Sequence, residues 1–189
     1  METYYKLNNF PEKIIQDIKQ SWIDNDWKII IDTYKSQFFH YRLDRSKKVY
    51  EHFPECDKIE FYEQIPGVKN RPHSDRGRFA AINIPVEVDY ANSFFYIGKY
   101  FDLAEYSRDF GPKVVTQGNK SNKLGQPVFY KYDEKLMEKY NLRTPVIFDT
   151  KVPHGGVNTD CPTRRIIASI SYQQYTYEQV LGMISPEWF

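Results

Sequence analysis

Two histidines and an aspartate are the residues whose types and spacing best suit metal chemistry in this sequence. His73 and Asp75 stand in NRPHSDRGRF, and His154 stands in VPHGGVN after the apolar run Pro145–Asp149. A turn is predicted at Gly155, Gly156 and Asn158. Residues two apart in an extended segment point to one side, so His73 and Asp75 can converge on one point. A glycine-flanked histidine that leaves a strand is accessible and held by the scaffold. The three side chains therefore predict a facial site for a divalent ion with its other coordination positions open.

Two adjacent arginines follow His154 and open the apolar run CPTRRIIASISYQQ. An arginine that enters such a strand needs an anionic partner or an exit to solvent. The period-two pattern of a strand places Ile166, Ala168 and Ile170 with Arg164, and Ile167, Ser169 and Ser171 with Arg165. The second face, with its cation and the Ser169 hydroxyl, suits a polar cavity that binds a carboxylate. We therefore favour Arg165 as the anion-binding residue, with Arg164 as the alternative.

The remaining histidines and the cysteines do not form a second pattern of this kind. His40 and His52 have no carboxylate or histidine at ligand spacing, so we expect structural or surface roles for them. Cys56 and Cys161 are too few for a zinc site made of cysteines alone or for a disulfide framework. One disulfide is an open alternative, but two separate thiols in a reducing cytoplasm is the simpler interpretation.

Short runs rich in aromatic and β-branched residues dominate the chain and predict strands. These runs are Trp27–Tyr34, Lys58–Ile65, Arg78–Val86, Ser93–Tyr100, Lys113–Gln117, Pro127–Tyr132, Pro145–Asp149 and Arg165–Tyr172. Helical spacing predicts an amphipathic helix over about residues 11–22, and further helices over Glu134–Leu142 and Tyr177–Ile184. Many short strands with few helices predict a mainly β fold, either a sandwich, a jelly roll or a barrel.

Length and composition limit the classes of function. The chain has 189 residues and no visible linker or repeat, so we expect a single domain, residues 1–189. A net charge of +1 gives no electrostatic reason to expect a nucleic acid or an acidic membrane as a partner. The sequence has neither an 18-residue apolar run nor a signal-peptide pattern at its start, so a cytoplasmic protein is expected.

One long segment, Phe101–Gln126, has the weakest signals for regular structure. It carries three glycines together with several lysines and asparagines, and it lies between the two halves of the presumed site in sequence. Long connections of this kind tend to be lids or binding loops. We expect a mobile flap here, with a plain surface excursion as the alternative.

The ordered set His73-x-Asp75, then His154, then an arginine ten or eleven residues later resembles the Fe(II)/2-oxoglutarate-dependent oxygenases. Within this family, the motifs resemble those of the small prolyl-hydroxylase-like and phytanoyl-type enzymes. The likeness covers about residues 58–172. VPHGGVN followed by RRIIASISY is similar to the family's distal-histidine and arginine-strand segments, and RFAAINIPV is similar to the strand after its His-x-Asp motif.

The resemblance implies a double-stranded β-helix, a cupin-like jelly roll, with a few flanking α-helices. It implies Fe(II) held by His73, Asp75 and His154, and 2-oxoglutarate as cosubstrate with its far carboxylate on Arg165. Tyr62 resembles a strand tyrosine that hydrogen-bonds the cosubstrate in some members of the family. Oxidation of a substrate C–H bond with release of succinate and CO2 is the implied reaction. Because Asp75 is present, hydroxylation is expected rather than halogenation, in which chloride takes the carboxylate position.

Two other classes of function are compatible with the same residues. One is a cupin-like metalloenzyme that uses another divalent metal without 2-oxoglutarate and does not need the strand arginine. The other is a non-catalytic jelly-roll interaction module with incidental histidines. The sequence leaves open which small-molecule or peptide substrate is used, whether desaturation or demethylation replaces hydroxylation, the oligomeric state and the pathway.

Overall fold

A computed structural model describes residues 2–33, 38–70, 72–75, 77–98, 128–129 and 137–189. The helices are α1 (Glu12–Ile23) and α2 (Tyr177–Met183), with 3-10 turns at Lys48–His52 and Pro186–Trp188. The strands are β1 (Tyr4–Lys6), β2 (Trp27–Thr33), β3 (Phe38–Leu43), β4 (Lys58–Gln64), β5 (Val68–Lys69), β6 (His73–Ser74), β7 (Ala80–Glu87), β8 (Phe94–Gly98), β9 (Val128–Phe129), β10 (Met137–Tyr140), β11 (Val146–Asp149), β12 (His154–Asn158) and β13 (Arg165–Tyr172).

The described strands form two antiparallel sheets. The larger sheet has the order β1-β11-β7-β13-β4-β3-β2, and the smaller one has the order β10-β8-β12-β6-β9, with β5 paired to β12. Strands β11, β7 and β13 are central in the larger sheet, which explains why nearly all of their residues are buried. The predicted mainly β jelly roll with few flanking helices is confirmed.

The larger sheet has an apolar outer face covered by α1. Ile14, Ile18 and Trp22 of this helix belong to one buried cluster with Ile166 and Ile170 of β13. Their spacing is that of one helical face, so the sequence predicted this helix almost to the residue. The opposite face of the sheet, which looks toward the smaller sheet, carries the polar residues of β13 together with buried apolar residues such as Phe148 and Ile167.

Strand β13 has the predicted phase. Ile166, Ala168 and Ile170 pack under α1, and Arg164 on the same side reaches the surface, where it pairs with Glu87 at 3.0 Å and with Glu63 at 3.3 Å. Arg165, Ser169 and Ser171 are buried on the other face. Pairing with both β4 and β7 sets this phase, because a one-residue slip would bring Arg164 into the interior.

The helix expected over Glu134–Leu142 is wrong for its described part, because Met137–Tyr140 is strand β10. It pairs with β8, with Met137 opposite Gly98 and Tyr140 opposite Phe95. Met137 and Tyr140 are buried while the two residues between them are exposed. A three-residue spacing of buried side chains also fits one face of a helix, so local pattern does not distinguish helix from strand here. Pairing with β8 makes the segment a strand.

The turn expected after His154 is also wrong, because Gly155 and Gly156 lie inside strand β12. Both glycines permit a close approach that any side chain would block. A Cβ on Gly155 would meet the Tyr96 ring, and one on Gly156 would meet the Arg165 guanidinium. Glycine within a strand often marks a close approach of another group to the backbone, so the Gly155-Gly156 pair is the sequence signal for these two contacts.

Three remaining expectations have different outcomes. Cys56 and Cys161 are buried and free, as the simpler interpretation held. The expected flap, Phe101–Gln126, lies outside the described residues. No helix in the described parts of the chain has the length and apolar composition needed to cross a membrane.

Candidate active site

The two sequence-predicted histidines lie directly opposite each other in the smaller sheet. His73 begins β6 and His154 begins β12, and they are Cα partners in this antiparallel pair. Their ring centroids are 4.6 Å apart. Cross-strand partners project to the same face of a sheet, so the pairing brings both imidazoles to one point although 80 residues separate them in sequence.

Asp75 is brought to the same point by the segment between β11 and β12. Its backbone N–H donates to Thr150 O at 2.8 Å, and Lys151 Nζ donates to its carbonyl at 3.0 Å. Thr150 also fixes the residues after Asp75, because its Oγ1 donates to Arg78 O at 2.6 Å and its N–H donates to Phe79 O at 3.1 Å. The two ligand-bearing segments are therefore joined by backbone hydrogen bonds through Thr150.

The three side chains form a compact donor group. One ligand atom of each of His73, Asp75 and His154 lies within 4.8 Å of the others. Asp75 Oδ2 is 3.5 Å from His154 Nε2, and Oδ1 is 4.0 Å from His73 Nε2. Small side-chain adjustments would place all three atoms at the ~2.0–2.2 Å that imidazole and carboxylate ligands adopt around a divalent cation.

His154 is prepared as a ligand by its surroundings. Its Nδ1 lies 2.8 Å from Val152 O, so Nδ1 carries the proton and donates to that carbonyl. Its Nε2 is buried and makes no hydrogen bond within the described part of the chain. Phe95 and Phe148 pack against the ring at centroid distances of 6.1 and 4.9 Å and keep it from solvent. A fixed tautomer with a bare, buried lone pair is the state required for a metal ligand.

Arg78 is part of the site, and the sequence analysis missed it. Its Nε donates to Asp75 Oδ2 at 2.5 Å, and its Nη1 donates to Ser169 Oγ at 2.9 Å and Ser171 Oγ at 3.0 Å. Burial acts to raise the pKa of Asp75, but Arg78, followed by His154 and His73, outweighs it and holds the pKa well below its usual range. The carboxylate is therefore ionised and oriented. The only sequence signal was an arginine three residues after Asp75, before an apolar strand.

Arg165 lies between the sheets and has no acidic partner among the described residues. Its side chain crosses to the smaller sheet, where Nη1 donates to Phe94 O at 3.1 Å and the guanidinium covers Gly156. The residue is 4% exposed, and its buried Nε makes no hydrogen bond to the residues that the structure describes. Burial lowers the pKa of Arg165 to about 10. A buried cation without a counter-ion is costly, so this position is suited to binding an anion.

The other predicted site residues share the inner face but have partners within the chain. The Tyr62 hydroxyl donates to Glu60 Oε2 at 3.0 Å, and the Tyr62 ring lies 5.9 Å from the Arg78 guanidinium carbon. Ser169, expected beside Arg165, accepts its hydrogen bond from Arg78. Glu60 is 3% exposed and also pairs with Lys58 and Arg42. The inner face of the larger sheet therefore holds a hydrogen-bonded polar network around Arg78. Arg165 lies apart from this network among the described residues.

His40 joins this network from β3, where it is the Cα partner of Tyr62 with ring centroids 4.4 Å apart. Burial lowers the pKa of His40 to about 4, with Glu60 and Asp75 opposing this and Arg78 and Lys58 reinforcing it. His40 therefore binds a proton below pH ~6.5 in the unfolded chain but only below about pH 4 in the folded chain.

We predict that the metal-free protein loses about 1–2 kcal/mol of unfolding free energy between pH 7 and pH 5 through His40. The sign follows because the unfolded state binds more protons over that window, so stability falls as the pH falls. Urea unfolding at both pH values, with a chelator present, measures the change. The His40→Gln variant should show a smaller difference, and an identical pH dependence in both proteins would contradict the assignment.

Comparison with known proteins gives matches in structure. Neither the models of protein families nor the curated proteins match this sequence. The epimerase SnoN in complex with Fe3+, alpha-ketoglutarate and nogalamycin RO matches with a TM-score of 0.57 at 8% identity, over 98% of this chain and 86% of SnoN. HygX from Streptomyces hygroscopicus, with nickel and 2-oxoglutarate bound, matches with a TM-score of 0.53 at 7% identity, over 93% and 85%. A Pseudomonas putida prolyl-4-hydroxylase gives 0.52 at 9%, over 93% and 94%.

The chain has the fold of the Fe(II)/2-oxoglutarate-dependent oxygenases. This agrees with the family that the sequence motifs resemble, and the matches span nearly the whole chain rather than the central strands alone. At 7–9% identity the likeness concerns the fold, so the chemistry must be argued from this chain's own residues.

Proposed function

We propose that the chain is a non-haem Fe(II)- and 2-oxoglutarate-dependent dioxygenase that hydroxylates a C–H bond of a small-molecule or peptide substrate. The observation that carries the proposal is the placement of a three-donor group beside a buried arginine that has no acidic partner among the described residues. His154 and Gly156 are two residues apart on one face of β12, and Gly156 touches Arg165. A cation site and an anion site therefore adjoin each other between the sheets.

The donor set fits Fe(II). Two imidazoles and one carboxylate form the facial arrangement of non-haem Fe(II) oxygenases, which leaves three positions of an octahedron open. The unpartnered Nε2 of His154 fits the same assignment, since a buried lone pair without a donor is otherwise unfavourable. His73, Asp75 and His154 would hold the metal.

The buried arginine fits a dicarboxylate cosubstrate. Arg165 would bind the far carboxylate of 2-oxoglutarate. The Tyr140 hydroxyl is buried, makes no hydrogen bond among the described residues and is a further polar group near Arg165. Charge-assisted bonds to a guanidinium are the strong ones, and a buried site strengthens them.

The bound groups and the chain divide the reaction between them. Fe(II) with 2-oxoglutarate would supply the oxygen chemistry, for which decarboxylation of the cosubstrate to succinate and CO2 would provide two electrons and the substrate C–H bond the other two. The chain binds and orients these groups, and Phe95 and Phe148 keep the wall beside His154 dry. Structural neighbours include an epimerase and a carbocyclase, so hydroxylation is the part of the proposal that most needs a product assay.

The decisive experiment is anaerobic addition of Fe(II) and 2-oxoglutarate to the purified protein. We expect the weak visible charge-transfer band of the metal–2-oxoglutarate chelate, and we expect succinate to form after oxygen is admitted. Arg165→Ala should weaken the band, and Arg164→Ala is its matched control. Arg164 is exposed on the outer face, so its removal should leave the band unchanged.

The alternatives give different results in the same experiment. Tight metal binding without the band, and without a thermal shift on adding 2-oxoglutarate, would favour a cupin-like metalloenzyme. The absence of both metal binding and any thermal shift with Fe(II) surrogates would favour a non-catalytic jelly-roll module. Either result would overturn the proposed function.

A further inference from the structure

Arg78 occupies a position that the motif of metal ligands does not explain. It is three residues after Asp75, its side chain is 13% exposed, and it lies on the inner face. Its Nε is 2.5 Å from Asp75 Oδ2, while Nη1 reaches Ser169 Oγ at 2.9 Å and Ser171 Oγ at 3.0 Å. The guanidinium thus links one metal-ligand candidate of the loop to two hydroxyls of the central strand β13.

We propose that Arg78 is a positioning residue that fixes the Asp75 carboxylate in the orientation needed to bind the metal. This inference rests on the proposed function, because it presumes that His73, Asp75 and His154 hold a metal. Asp75 has only two side-chain torsions, and the donated bond to Oδ2 restricts the second of them. The carboxylate then keeps its place between the two histidines before any cation arrives.

The surroundings of Arg78 are rigid enough for this role. Its own backbone is held by Thr150 Oγ1, which also belongs to the segment that leads into His154. Ser169 and Ser171 are 1% and 0% exposed and lie on a strand paired on both sides. The chain therefore orients Asp75 through three fixed points, and outer partners of this kind typically contribute 10–100-fold to metal affinity.

A plain electrostatic role for Arg78 predicts the opposite sign. A cation beside the site repels a divalent metal, so removing its charge alone should tighten metal binding. Positioning predicts weaker binding instead. The direction of the change therefore separates the two roles, and it does so without any measurement of turnover.

The test is a titration of the metal-free protein with Co(II), without 2-oxoglutarate. We expect Arg78→Gln to weaken Co(II) binding at least 10-fold and to change the shape of the visible Co(II) bands, which report ligand geometry. Arg164→Gln is the matched control, because it makes the same change of residue type on the outer face of the larger sheet, where Arg164 pairs with Glu63 and Glu87. It should leave Co(II) affinity unchanged or slightly tighter.

A second variant keeps the test valid if Arg78→Gln does not fold. Ser169→Ala with Ser171→Ala preserves every charge and nearly every atom but removes both acceptors of Nη1. We expect about a threefold weakening and the same direction of change in the Co(II) bands, with apo thermal unfolding measured alongside.

Unchanged or tighter Co(II) binding in folded Arg78→Gln, or in the double serine variant, would overturn the positioning role while leaving the proposed function intact. Failure of the wild-type protein to bind Co(II) would overturn both. Weaker binding with unaltered Co(II) bands in both variants would reduce Arg78 to a structural residue and would also count against the inference.

Discussion

The His154→Ala variant is expected to lose metal binding while keeping the fold. His154 supplies a buried Nε2 that makes no hydrogen bond to any described residue, and the two remaining donors, His73 and Asp75, cannot close a facial set. We expect the loss of affinity for Fe(II) or Co(II) to exceed the ~10–100-fold that follows from losing an outer-shell partner. Calorimetric titration of the metal-free protein measures it.

A histidine elsewhere provides the matched control for this substitution. His52 pairs with Asp17 at 3.1 Å and lies outside the donor group, so His52→Ala should bind metal as the wild type does. Circular dichroism and thermal unfolding of both variants check the fold. Equal metal affinity in His154→Ala and the wild type would end the metal-site assignment, and with it the proposed function.

The Arg165→Ala variant is expected to lose about 1.5–3 kcal/mol of 2-oxoglutarate binding free energy, the range for a hydrogen bond to a charged group. The reason is that Arg165 is a buried cation without an acid among the described residues. Arg164→Ala should have little effect, because Arg164 is exposed and paired with Glu63 and Glu87. Fluorescence or calorimetric titration of the metal-loaded protein under anaerobic conditions compares them.

A pair of glycine variants tests the same site without removing the arginine. A Cβ on Gly156 would collide with the Arg165 guanidinium, so Gly156→Ala should also weaken 2-oxoglutarate binding. Gly155→Ala is the matched control for strain, because its Cβ would collide with Tyr96 instead. Equal losses from Arg164→Ala and Arg165→Ala, or equal losses from the two glycine variants, would contradict the assignment of Arg165.

Local patterns in the sequence determined more of this fold than of its site. The apolar stripe of α1 and the alternation along β13 were readable, because burial imposes a period of about 3.6 on a helix face and of two on a strand face. Met137–Tyr140 was misread as helical, since a three-residue spacing of apolar side chains fits both a short strand and a helix. Pairing with β8 decided that segment, and pairing is not a local property.

For the candidate site, the sequence by itself indicated three candidate donors and the phase of the arginine strand. His73, Asp75 and Arg165 were named from spacing and alternation, because side chains one or two residues apart have fixed relative directions in extended chain. Tertiary structure alone decided that His154 lies opposite His73, and that Thr150 joins their segments.

Tertiary structure alone also decided the surroundings of these donors. Arg78 is held beside Asp75 by hydrogen bonds to Ser169 and Ser171, which are more than 90 positions away. Position 156 has no room for a Cβ because the Arg165 guanidinium lies against it. The physical reason is that a hydrogen bond or a close contact between two sheets depends on how the sheets stack and in which register their strands pair. Residue type and spacing along one segment carry no record of that arrangement.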